Sequence, residues 1–89
     1  MNISLPGSET FTLYCLQNNE ECEKTIQLLK NFSPPIQIIY VDSYKNQNIE
    51  EFSNFINTIT KNRFSNYYPI IFFKSTFIAN YKKCLGILN

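Results

Sequence analysis

The chain has 89 residues, 44% of them hydrophobic, and a formal charge of +1, which fits one compact domain and leaves little length for a second core. Its basic residues are scattered among acids instead of forming a stripe, so nucleic acid is not an expected partner, and no run of ~18 apolar residues reads as a membrane span. Histidine is absent, which removes the commonest general base and the commonest zinc ligand.

Residues 1–9 carry Pro6, Gly7 and Ser8 and read as an irregular lead-in. Phe11 to Cys15 is a run of β-formers and predicts the first strand. From Glu20 the apolar positions fall at Cys22, Thr25, Ile26, Leu29 and Phe32, which is helical spacing, and Pro34-Pro35 stops the helix there. Ile36 to Val41 is almost continuously apolar and β-branched, the pattern of a strand covered on both faces. A polar stretch, Ser43 to Asn48, follows. Ile49, Phe52, Phe55, Ile56 and Ile59 then predict a second helix running to about Lys61, with Asn48 and Glu51 placed as a variant capping box. Tyr67-Tyr68-Pro69 leads into two short strands, Ile70 to Phe73 and Phe77 to Ala79, separated by Lys74-Ser75-Thr76, so an antiparallel hairpin from Ile70 to Ala79 is expected. A last helix from about Asn80 would carry Cys84, Leu85 and Leu88. The expected architecture is α/β, in the order β-α-β-α-β-β-α. A four-stranded mixed sheet follows, because the helix between the first two strands requires them to be parallel.

The run Tyr14-Cys15-Leu16-Gln17-Asn18-Asn19-Glu20-Glu21-Cys22, with Leu28-Leu29 after it, resembles the start of a glutaredoxin, the small branch of the thioredoxin-like fold. There a strand ends in Tyr-Ser-Lys, a Cys-Pro-Tyr-Cys motif opens the first helix, and two leucines come late in that helix. Two registers are open. With Asn19 at the first-cysteine position, Tyr14 and the leucine pair keep the family's spacing and Cys22 matches the second cysteine; this register is preferred. With Cys22 as the first cysteine of a monothiol motif, the loop lengthens and the leucines leave register. Tyr67-Tyr68-Pro69 stands where the family has Thr-Val-Pro with a cis proline. Ala79-Asn80-Tyr81-Lys82 stands where it has Gly-Gly, a polar residue and aspartate.

The resemblance implies thiol–disulfide exchange at Cys22 and Cys15, and a glutathione groove formed by Tyr68, Pro69, Asn80 and Tyr81. It implies no tightly bound cofactor, with glutathione or a protein thiol or disulfide as the partner. The chemistry of the departures pulls the other way. Exchange needs a thiolate, favoured at a helix N-terminus beside positive charge. Asn19 cannot supply one, although it is a good helix cap. Leu16 replaces the usual basic residue, and Glu20 and Glu21 disfavour a neighbouring thiolate, so Cys22 is expected to be sluggish. Cys15 is the one plausible intrachain partner for Cys22, as a disulfide or as a reduced neighbour. Cys84 reads as a packing residue, and Lys82 and Lys83 as solvated or as contacts for a carboxylate ligand. Three cysteines without a CxxC pair fit a reducing compartment better than a secreted disulfide framework. The N-terminus also lacks a signal-peptide pattern, and together these point to the cytoplasm. Two functional readings stay open: a glutaredoxin-like oxidoreductase of low activity, and a redox-silent module that holds a protein or peptide.

Overall fold

The computed structural model describes residues 3–31, 35–63 and 68–78. Strand β1, Phe11–Cys15, is buried at every position, because it lies at the centre of the sheet with a helical layer on each face. Strand β2, Ile36–Tyr40, pairs with it in parallel, Phe11 opposite Ile36 and Cys15 opposite Tyr40. On the other side β1 pairs antiparallel with β3, Ile70–Phe73, which turns back into β4, Thr76–Ile78. The sheet order is β2-β1-β3-β4, so the expected parallel pair and antiparallel hairpin are both present. Ala79, the expected last residue of the hairpin, and the helix expected from Asn80 lie outside the described residues. So does Phe32, where the first helix was expected to end; the helix itself ends at Leu29.

Helix α1, Glu20–Leu29, makes the crossover between β1 and β2 and buries Cys22, Thr25, Ile26 and Leu29. These pack on the face of the sheet that carries Phe11, Leu13, Cys15 and Ile71. Full burial of a side chain such as Leu29 contributes ~2 kcal/mol. The opposite face presents Tyr14, Ile70 and Phe72 to Phe52 and Ile56 of helix α3, Ile49–Thr60. Asn48 caps α3 by accepting the Glu51 N–H at 3.1 Å, while its own N–H goes to the Tyr44 carbonyl. One half of the expected capping box is therefore made by the backbone of the preceding turn.

Two features depart from the sequence reading. Asp42–Gln47 forms a short helix, α2, within the polar stretch. It has no buried residue and thus no apolar period to announce it. β2 was expected to be covered on both faces, yet it is an edge strand. Ile38 and Tyr40 are 37% and 45% exposed, because among the described residues no strand lies beyond β2 and α1 covers only the inner part of this face. No helix among the described residues is long and apolar enough to cross a membrane.

Before β1, the lead-in lies against the sheet. The Tyr14 hydroxyl donates to the Ser4 carbonyl at 2.6 Å, and the Gly7 N–H donates to the Thr12 hydroxyl at 2.9 Å. A Cβ at Gly7 would run into the Thr10 hydroxyl, so a larger residue there requires that side chain to move.

Candidate functional site

The site forms where the C-terminal end of β1, the start of α1 and the segment entering β3 converge. Cys15 is the last residue of β1. The chain turns through Leu16 to Asn18, with Asn18 in the left-handed region at φ 57°, a conformation asparagine tolerates better than most residues. Asp42 fixes this turn from the start of α2: its carboxylate oxygens accept the Gln17 N–H at 3.1 and 3.3 Å. Asn19 then caps α1, its side-chain oxygen accepting the Cys22 N–H at 3.0 Å. The residue at the helix start is thus an amide that satisfies the helix, and Cys22 stands in the first turn with its side chain directed inward.

Cys15 and Cys22 both carry free thiols and are 0% and 1% exposed. Both sit in the same buried cluster, and each alters the ionisation of the other. Cys22 is favoured as the thiolate of the pair: the Cys15 thiol donates to it and so does the Leu16 N–H, and these outweigh its burial and the charges of Asp42 and Glu21. Cys15 is pushed up correspondingly, by that same bond to Cys22, by burial, and by the negative charges of Cys22 and Asp42. The expected sluggishness of Cys22 rested on the neighbouring acids. Glu21 does oppose the thiolate, but the donors that decide the direction come from the end of β1.

Tyr68 and Pro69 approach the same place. The Tyr68 side chain packs against the hydrophobic clusters on both faces of the sheet. Its hydroxyl is pushed up to about 12 by burial and by the nearby negative charges of Cys22 and Asp42. Pro69 is buried, and the Tyr68–Pro69 bond is cis. Beside Tyr68 opens a cavity of about 400 Å³ whose lining includes Phe52 and Ile56 as apolar wall and Ser53, Asn57 and Lys45 as polar groups. The Lys45 ammonium lies 5.8 Å from the Tyr68 ring centroid, within cation–π range.

Of the residues singled out in the sequence, Cys15, Cys22, Tyr68 and Pro69 are brought together. Asn80 and Tyr81 lie outside the described residues, as do Tyr67, Lys82, Lys83 and Cys84. Asp42 and Lys45 belong to the site but were not legible, because they sit in a polar stretch whose helix turns them toward β1 and Tyr68. Among the described residues no three His, Cys, Asp or Glu side chains come together in a way that could hold a metal ion. The arrangement can do two things chemically: a buried dithiol can lose two electrons and two protons to become a disulfide, and the cavity beside Tyr68 can take a small or extended ligand. In comparisons with family models, curated proteins and solved structures, the chain matches none.

Proposed function

We propose that the protein is a divergent glutaredoxin-like thiol–disulfide oxidoreductase of low activity, with Cys22 as nucleophile, Cys15 as its resolving partner and glutathione as the co-substrate. The observation that carries this reading is that the two free thiols are buried in one cluster where β1 ends and α1 begins, close enough for Cys15 to draw the Cys22 thiol below its usual value. Nucleophilic exchange needs a thiolate with a second thiol in reach. In the proposed reaction the Cys22 thiolate attacks one sulfur of a glutathione mixed disulfide, forming a new S–S bond and expelling the other sulfur as a thiolate that takes up a proton. Cys15 then loses its proton and attacks the Cys22 sulfur, releasing the second thiol and leaving a Cys15–Cys22 disulfide. Two glutathione molecules reduce that bond and leave as glutathione disulfide. Tyr68 and Pro69 flank the approach, and the resemblance adds Asn80 and Tyr81 to the groove.

Low activity follows from burial and from Asn19. At 1% exposure Cys22 meets substrate only when the first turn of α1 opens, and the residue best placed for unhindered attack is an amide. A second reading, a redox-silent module binding a peptide or protein at the cavity beside Tyr68, is favoured by the same burial. Glutathione-dependent reduction of a small mixed disulfide separates the two. The expected result is a turnover ~100-fold or more below that of a dithiol glutaredoxin, lost in Cys22→Ser and raised in Asn19→Cys. Wild-type and Cys22→Ser rates both equal to the uncatalysed rate would leave the binding module as the function.

A further inference from the structure

The open edge of β2 has an unusual make-up. The ladder to β1 begins with the Phe11 N–H on the Pro35 carbonyl and ends with the Val41 N–H on the Cys15 carbonyl. In a parallel ladder, alternate residues of a strand bond to one neighbour. Gln37 and Ile39 therefore bond to β1, and the N–H and C=O groups of Ile36, Ile38 and Tyr40 line the open edge. Natural edges are blunted by charge, proline, a bulge or a covering segment. The sequence of β2, Ile-Gln-Ile-Ile-Tyr, contains no charge and no proline, and the side chains of Ile38 and Tyr40 are exposed.

A groove of about 760 Å³ runs alongside this edge, between Tyr40 and α1, lined by the polar Glu20, Glu23, Lys24, Gln27 and Lys30 and by the apolar Ile26 and Leu28. The polar positions share one side of a helix by their three- and four-residue spacing. The stripe is polar in sign, acidic toward the start of the helix and basic at Lys30. Lys24 is engaged within the helix, to Glu20 at 3.2 Å, whereas Glu23 and Lys30 have no ion-pair partner among the described residues.

We propose that this edge and this stripe form a two-fold interface between two copies of the chain, joining their four-stranded sheets edge to edge. Antiparallel pairing of β2 about its midpoint sets Ile38 opposite the partner's Ile38 and Tyr40 opposite the partner's Ile36. These are the residues whose backbone groups face outward, so each pair exchanges both hydrogen bonds. The two-fold axis is then normal to the sheet, both α1 helices lie on the same face, and they run antiparallel. The same axis brings Glu23 to the partner's Lys30 and Lys30 to the partner's Glu23. In this register a copy of the chain meets the charge pattern that the groove presents.

Sedimentation velocity on the full chain from ~5 to ~200 µM tests this, since a dimer in mass-action equilibrium shifts across that range. The expected result is a concentration-dependent dimer. Ile38→Lys, which places two like charges at the axis, should weaken it ~100-fold or more. Glu23→Lys or Lys30→Glu alone should each weaken it ~10-fold, and Glu23→Lys with Lys30→Glu should return it to within ~3-fold of the wild type, because the swap restores both pairs. Circular dichroism checks the folding of each variant, and the charge swap stands as the test if Ile38→Lys does not fold. A monomer throughout would overturn the proposal, leaving the edge to a strand of some other protein. So would a dimer indifferent to Ile38→Lys, or one that the double swap fails to restore.

Discussion

Asn19 holds the Cys22 N–H at 3.0 Å, and losing a cap of this kind costs ~1 kcal/mol. Asn19→Ala should lower the free energy of urea unfolding by about that amount, while Asn19→Asp or Asn19→Ser, which cap equally well, should leave it within ~0.5 kcal/mol. Asn19→Cys, the variant expected to gain activity, also loses the cap, so its gain in rate and its loss in stability should appear together. Part of this was legible in the sequence: an asparagine directly before Glu20, Glu21 and an apolar period is a cap signal. The state of Cys22 was not, because its hydrogen-bond donors are the Cys15 thiol and the Leu16 N–H, which only the turn through Asn18 folds back onto the helix. The resemblance brought Tyr68 and Pro69 into the site, but nothing in the local pattern around Asp42 marks it as the group that holds Gln17.

At the level of the elements, apolar spacing located α1 and α3, which each bury a face, and runs of β-formers bounded by turn residues located the four strands. Apolar patterning could not locate α2, which has no fully buried residue and only Tyr44 packed against the core. It also misjudged β2, because a continuous apolar run looks the same in a central strand and in an edge that leaves Ile38 and Tyr40 exposed. The end of α3 shows a backbone cost. Lys61 closes the helix in the left-handed region at φ 54°, ψ 45°. The Asn62 N–H returns to the Asn57 carbonyl at 2.8 Å and the Lys61 N–H to the Thr58 carbonyl at 3.3 Å, the pairing of a Schellman motif. Glycine takes that conformation without the Cβ penalty. Lys61→Gly should therefore raise stability by ~0.5–1 kcal/mol, read as a higher urea midpoint at unchanged slope; a lower midpoint would contradict the assigned geometry.

For the molecule as a whole, burial of acidic hydroxyl and thiol groups predicts weakness in alkali. Tyr14 is pushed up by burial, Tyr68 is pushed up to about 12, and Cys15 is raised as well. In the unfolded chain tyrosines ionise near ~10 and cysteines near ~8.5. The unfolded state therefore releases these protons first and gains on the folded one as pH rises. Cys22 acts in the opposite sense. Its lowered value gives a contribution present above the unfolded cysteine value and lost as pH falls through the folded one, so it offsets Cys15 while the tyrosines remain uncompensated. The urea midpoint should fall between about pH 10 and about pH 12, and Tyr14→Phe and Tyr68→Phe should each flatten that fall. The sheet order also bears on how the chain is made. Of the four strands β1 leaves the ribosome before the others, yet one of its edges stays open until β3 is made, since Phe11 has to wait for Phe73 and Tyr14 for Ile70. Until then one side of Phe-Thr-Leu-Tyr-Cys has no partner strand, so nascent chains stalled before the hairpin should be the species that chaperones hold and that aggregate when released.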